Sequence, residues 1–185
     1  MNPDIRIKIR QFLWKTMHGA QKIGKFWMHI NGFEERQWCQ TCHTTETMEH
    51  ILIHCQESEV RIILDQAEEL WPHTEIPWPE ISLGIILGCG VITLADAQND
   101  NIPANHQRIL IPKRAVARLM RILILELAHL IWALRCERVV QGNTHTEREI
   151  RLKWTRAINK KLTKDRIITT KIKRDTAAKQ LVTDT

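Results

Sequence analysis

The stretch CQTCHTTETMEHILIHC, residues 39–55, decides how this chain folds. It carries the spacing C-x2-C-x7-H-x4-C on Cys39, Cys42, His50 and Cys55. Two thiols three residues apart form a claw, because the turn between them lets both sulfurs point at one centre. The imidazole and thiol that follow supply the remaining ligands. Three sulfurs and one nitrogen fill the tetrahedral shell that Zn2+ prefers, with no position left open for a substrate. The spacing therefore predicts a structural zinc site, and metal-binding free energy there becomes folding free energy for its segment. His43 and His54 are the competing ligands. His54 shares a helix face with His50, whereas Cys55 sits about 140° from His50 on an α-helix. Ligation by both His50 and Cys55 then needs the claw to reach over the helix N-terminal end, or the helix to tighten locally. Thiolate is the stronger zinc ligand, which favours Cys55.

Upstream of the claw, Ile5, Ile9, Phe12 and Leu13 recur at helical spacing from Asn2 to His18, with Asn2 as cap, Pro3 at the first helical position and Gly19 as stop. A shorter helix is expected from Lys22 to Ile30, closed by Asn31-Gly32. Trp14 and Trp27 read as core anchors, and Trp38 is balanced between core and surface. Downstream, Thr47 can cap a helix carrying Glu49, His50 and His54, and residues 57–71 continue with a stripe of Val60, Ile63, Leu64, Ala67, Leu70 and Trp71. Pro72, Pro77 and Pro79 mark an extended linker. The apolar, glycine-rich run ISLGIILGCGVI, residues 81–92, fits a buried helix or a strand, with helix preferred, and residues 93–112 read as a surface loop or a variable insertion. The longest element runs from Lys113 to Gln141, apolar around most of its circumference and ended by Gly142. Two overlapping capping boxes, Thr144–Glu147 and Thr146–Glu149, open a further helix whose stripe is Ile150, Trp154, Ala157, Ile158 and Leu162. Beyond Leu162 a short helix and a frayed tail are expected. The fold class is all-α: a helical domain with a small CCHC zinc-nucleated segment near the N-terminus. It divides into 1–71 (basic helices and zinc segment), 72–112 (linker, apolar segment and loop), 113–162 (central and capped helices) and 163–185 (basic tail).

Charge is unevenly spread over the 185 residues. Residues 1–38 hold 7 basic and 3 acidic side chains, residues 39–145 hold 8 and 13, and residues 146–185 hold 12 and 5. The surplus sits at the two ends, where a polyanion would meet it first. Five cysteines, an odd number, argue against a secreted disulfide framework, and Cys89 and Cys136 read as buried free thiols. The most apolar run, Ile122 to Leu134, is too short to span a bilayer and contains Glu126 and His129. An intracellular protein, nuclear or cytoplasmic, with no signal peptide and no membrane contact is expected.

The string from Cys39 to Cys55, with Glu-Thr-Met-Glu-His between its ligands, resembles the zinc-binding module of non-LTR retrotransposon reverse transcriptases. The upstream KIRQFLWKTMHGAQKIGKFW is similar too, a basic helix bearing tryptophan. WPEISLGIILGCG and ILELAHLIWALRCERV resemble the C-terminal region of such polyproteins in mushroom-forming fungi. The resemblance covers residues 6–170. It implies Zn2+ on Cys39, Cys42, His50 and Cys55, a role in handling element RNA or DNA, and packing beside the polymerase and ribonuclease H region. The polymerase signature Tyr/Phe-x-Asp-Asp is absent, since the chain has no tyrosine and no Asp-Asp pair. The expectation is a non-catalytic end piece, not an enzyme.

Other constellations are weaker. Glu126 and His129, at i, i+3, bind metal only when a second such pair faces them. Gly84, Gly88 and Gly90 lack the Lys and Ser/Thr of a phosphate loop. The basic ends carry more. Lys15, Lys22, Lys25 and Arg36 alternate with Trp14, Trp27, Phe33 and Trp38, the pairing of phosphate neutralisation with base stacking that single strands need. Lys15, Lys22, Lys25, Arg36, Trp38, Arg151, Lys153, Arg156, Lys160 and Lys161 are the expected contacts to single-stranded RNA or DNA. The competing assignment is a structural or self-associating module, built on the apolar central helix and residues 81–92.

Overall fold

The computed structural model describes residues 5–72, 76–91 and 113–183. Asn2, Pro3 and the 93–112 loop lie outside the described residues. In chain order the elements are α1 (Ile7–Met17), 3-10 turns at Gly24–His29 and Glu34–Gln37, a π-helical turn at His50–His54, α2 (Ser58–Glu69), α3 (Leu83–Gly88) continued by a 3-10 turn, α4 (Lys113–Gln141) and α5 (Glu147–Thr183). Among the described residues there is no strand, only a single antiparallel bridge between Trp38 and Thr45. The chain is all-α. No helix among them is long and apolar enough to cross a membrane.

α4 is the axle. Every residue from Ile122 to Ala128 is buried, Glu126 included, so the helix is enclosed on all sides there. α1, α2, α3, α5 and the π-helical turn all pack against it. Ile9 and Phe12 of α1, Leu52 of the π-helical turn, Ile63 and Ala67 of α2, and Ile150, Trp154 and Ile158 of α5 complete one core. Arg6, just before α1, reaches the buried carboxylate of Glu126 and fixes α1 to the axle. Burial nonetheless raises the Glu126 pKa, outweighing the pull of Arg6.

Two tryptophans expected in the core are elsewhere. Trp14 is 56% exposed, because it lies two positions, about 200°, beyond buried Phe12 around the helix. Trp27 is half-buried, with its indole N–H donating to the Lys22 carbonyl at 2.8 Å. The helix expected over 22–30 is instead a 3-10 turn. Gly24 explains this: its φ is +50°, and a Cβ there would stand 2.3 Å from the carbonyl oxygen of Glu46. Close approach to the metal segment wins over helix continuation, and only glycine permits it.

The α4–α5 hairpin turns at Gly142, which takes φ 71° and donates its N–H to the Arg138 carbonyl at 3.1 Å. The second capping box forms: Thr146 N–H and hydroxyl both donate to Glu149, and Glu149 N–H donates back to the Thr146 hydroxyl at 3.3 Å. Those donors hold the Glu149 carboxyl below its usual range. α5 then runs unbroken to Thr183, where a frayed tail was expected. Past Ile158 its inner face switches from apolar to ionic. Lys161 meets Asp165 at 3.0 Å, Arg118 of α4 meets Asp165 at 3.2 Å, and Leu162 is left 43% exposed.

A buried ion pair joins the metal segment to α4. Arg135 of α4 donates Nε to Glu46 Oε1 at 3.2 Å and a second N–H to Oε2, with both side chains buried. Removing one partner strands the other charge away from water. Arg135→Ala is expected to lower unfolding stability by about 3–5 kcal/mol, and the paired change Glu46→Gln with Arg135→Met to recover most of it. Urea denaturation of the two variants beside the unaltered chain checks this.

Candidate metal centre

The claw is shaped by backbone hydrogen bonds before any metal is considered. Cys39 N–H donates to Thr44 O and His43 N–H donates back to Cys39 O, both at 2.8 Å. His43 takes φ 53°, the left-handed conformation that closes the turn. The Trp38–Thr45 bridge seals its base. The result turns both cysteine side chains toward the helical segment that follows.

That segment answers the geometric question raised by the spacing. Thr47 accepts from His50 N–H at 3.0 Å, capping the turn as expected. Residues 50–54 then form a π-helical turn, in which Cys55 N–H donates to His50 O at 2.8 Å. The backbone widens, a third route beside the two that the spacing suggested, a claw reaching over the helix end or a local tightening. An i→i+5 bond brings residue 55 beneath residue 50, so His50 and Cys55 face one centre without the claw reaching across.

The ligand atoms of Cys39, Cys42, His50 and Cys55 all lie within 4.8 Å of one another. Cys39 Sγ is 3.6 Å and Cys42 Sγ 4.0 Å from Cys55 Sγ. Tetrahedral coordination with bonds of about 2.3 Å gives sulfur–sulfur edges of roughly 3.8 Å, so the spacing suits a metal ion. His50 Nε2 is buried without a hydrogen-bond partner, a vacancy in its bonding that a metal ion would fill. Burial, reinforced by His54 and opposed by Glu46, lowers the His50 pKa and keeps the ring in its ligating neutral form. Burial also pushes the Cys55 thiol well up, as do the two neighbouring thiols. Three thiols so close cannot all ionise without a cation among them. His43 and His54 are exposed and outside the cluster.

Seven residues around the cluster escaped sequence reasoning as parts of the site: Glu46, Arg135, Arg138, Glu57, Glu59, Thr41 and Gln56. Glu46 is paired with Arg135 as above. Arg138, one turn further along α4, binds Glu57 at 3.1 Å and Glu59 at 3.0 Å, just beyond Cys55. Thr41 of the claw donates to the same Glu57. Gln56 N–H donates to Cys42 Sγ at 3.3 Å, the kind of contact that stabilises a thiolate. The available signal was Arg135 and Arg138, two cations at i, i+3 on a helix otherwise enclosed in apolar packing, which demand buried acids.

The expected nucleic-acid contacts divide in two. Lys15, Lys22, Lys25, Arg151, Arg156 and Lys160 are exposed, and Trp38 is 44% exposed. Arg36 lies over the rings of Phe33 and Trp27, at 4.5 Å and 5.2 Å. Lys153, by contrast, is engaged by Glu137 at 2.5 Å and His145 at 3.3 Å. Lys161 is buried against Asp165. Glu126 and His129 share no ligand cluster: Glu126 faces Arg6, and His129 packs edge-on against Phe12 at 6.0 Å. Cys89 is buried, its pKa pushed up to about 12 by desolvation, while Cys136 is half-buried.

Compared with protein-family models, curated proteins and solved structures, the chain matches none.

Metal analysis of purified protein is expected to give one metal ion per chain. His50→Ala and Cys55→Ser lose it together with structure in residues 39–55, whereas His43→Ala and His54→Ala keep it. Because bound thiols must shed protons, affinity is expected to rise with pH. Competition with a chelator across a pH series measures that dependence.

Proposed function

We propose that the chain is a non-catalytic zinc-binding module that contacts single-stranded RNA or DNA, as part of a non-LTR retrotransposon reverse transcriptase. The observation that carries this reading is the Cys3His cluster, four ligands from the protein within 4.8 Å. Such a set suits Zn2+ and leaves no coordination position for a substrate or an activated water, which supports a structural role over an enzymatic one. The contact with nucleic acid is supported by the exposed cations Lys15, Lys22 and Lys25 near the cluster in sequence, and by Arg151, Arg156 and Lys160 on α5. The assignment to reverse transcriptases rests on the motif between Cys39 and Cys55.

A second reading has its own observation. Ile7, Trp14 and Met17 of α1 are 64%, 56% and 63% exposed, on the side of the helix away from Phe12. An apolar strip of that kind suits packing against the polymerase and ribonuclease H region, or a second copy of the chain.

The zinc-loaded protein is expected to bind short RNA and DNA single strands, with log affinity falling against log salt by about 0.7 per phosphate neutralised. Fluorescence anisotropy over a salt series measures it. Absence of binding at low salt with zinc present would falsify the nucleic-acid part and leave the packing role standing.

A further inference from the structure

The segment between α1 and the claw carries large apolar side chains on its surface. Phe26, Met28, Phe33 and Trp38 are 45%, 44%, 42% and 44% exposed. They are not scattered. The two 3-10 turns, Gly24–His29 and Glu34–Gln37, pack against each other and gather the rings. Phe26 meets Trp27 edge-on at 5.1 Å, and Trp27 meets Phe33 at 5.9 Å. Arg36 covers both Trp27 and Phe33, and the Lys22 ammonium stands 5.6 Å over Phe26.

This is an assembled shelf. Its rings are held by one another, by the Trp27 N–H bond to Lys22 O, and by Gly24 seated on the Glu46 carbonyl. A ligand that stacks on it loses little side-chain entropy in doing so. The charge beside it is modest. Lys22, Lys25 and Arg36 share this stretch of chain with the acids Glu34 and Glu35. Phosphate attraction alone is therefore weak here, and a partner would be held mainly through the rings. The ligand class with flat faces and a phosphate backbone is an unpaired nucleic-acid strand, since bases in a duplex already stack on each other.

The shelf is continuous with the metal centre. Trp38 directly precedes the ligand Cys39, bridges to Thr45, and donates its N–H to Glu35 O at 3.2 Å. Glu46 N–H donates to Gln37 O at 2.9 Å, so the chain on both sides of the claw is tied to the shelf's second turn.

We propose that Phe26, Phe33 and Trp38, around the Trp27–Arg36 stack, take unpaired nucleobases, and that metal ligation at Cys39 holds Trp38 in position. The inference rests on the single-strand reading above and adds which residues contact bases. It also makes base contact depend on the metal.

The test compares a short oligothymidylate with an abasic phosphodiester strand of equal length, using the full zinc-loaded chain. The oligothymidylate is expected to bind roughly 5- to 100-fold more tightly, with quenching of tryptophan emission. Trp38→Ala and Phe33→Ala bring its affinity down to that of the abasic strand, whereas Trp38→Phe preserves the difference. Chelation of the metal also removes the preference. Zinc content and helical circular dichroism confirm that each variant is folded. Equal binding of the two strands, or a preference that survives both alanine changes or chelation, overturns the inference and leaves phosphate contact intact. Failure of both strands to bind overturns the single-strand reading along with it.

Discussion

One buried ion pair, Glu46 with Arg135, ties the claw to the central helix. Both side chains are out of water, so each depends on the other for its charge to be tolerated. The metal segment also gives Cys39, Met48, Ile51, Leu52 and Cys55 to the buried core. Its attachment to α4 comes from this pair, from Arg138 with Glu57 and Glu59, and from Leu52 and Ile51 set into the core. Such pairs add little stability over a well-packed apolar substitute. They permit a single docking position, because any shift along α4 leaves two charges unpaired. Gly24 depends on the same arrangement, since it rests on the carbonyl of Glu46.

The all-α class was legible from periodicity. The bounds of α4, the capping box at Thr146, the Thr47 cap and the helix within residues 81–92 were each carried by local signals. Gly142 after Gln141 and Ser82 before Leu83 are of this kind. Trp14 was misplaced on its chemistry, although the local stripe of Ile5, Ile9 and Phe12 already puts it on the outer side of α1. The rest of what escaped was decided at a distance. The 3-10 turn at Gly24–His29 follows from contact with Glu46, more than twenty positions away in the sequence. Four cysteine and histidine positions were readable because metal ligation imposes spacing. Their supporting acids and arginines were not, because pairing across long separations leaves no periodic trace.

The structure also sorts the cations that composition lumps together. Lys153 is held by Glu137 in a partly exposed pair, whereas Lys161, Arg135 and Arg138 hold more deeply buried acids, Asp165, Glu46, and Glu57 with Glu59. A formal charge of +6 therefore understates how polarised the surface is. Glu46, Glu57, Glu59 and Glu126 of the middle segment are engaged in holding the fold, while Lys15, Lys22, Lys25, Arg151, Arg156 and Lys160 at the two ends are exposed. Salt acts differently on the two groups. The interior pairs are shielded from screening, and the surface cations are not.

The π-helical turn at His50–His54 carries one surplus residue relative to an α-helix. That surplus is absorbed before α2 begins, because Cys55 and Glu57 leave helical backbone, with ψ of 133° and 138°. The break works as a slip joint. The winding of the ligand turn can follow the demands of its four side chains, while α2 starts afresh at Ser58 and keeps Val60, Ile63 and Ala67 in the core.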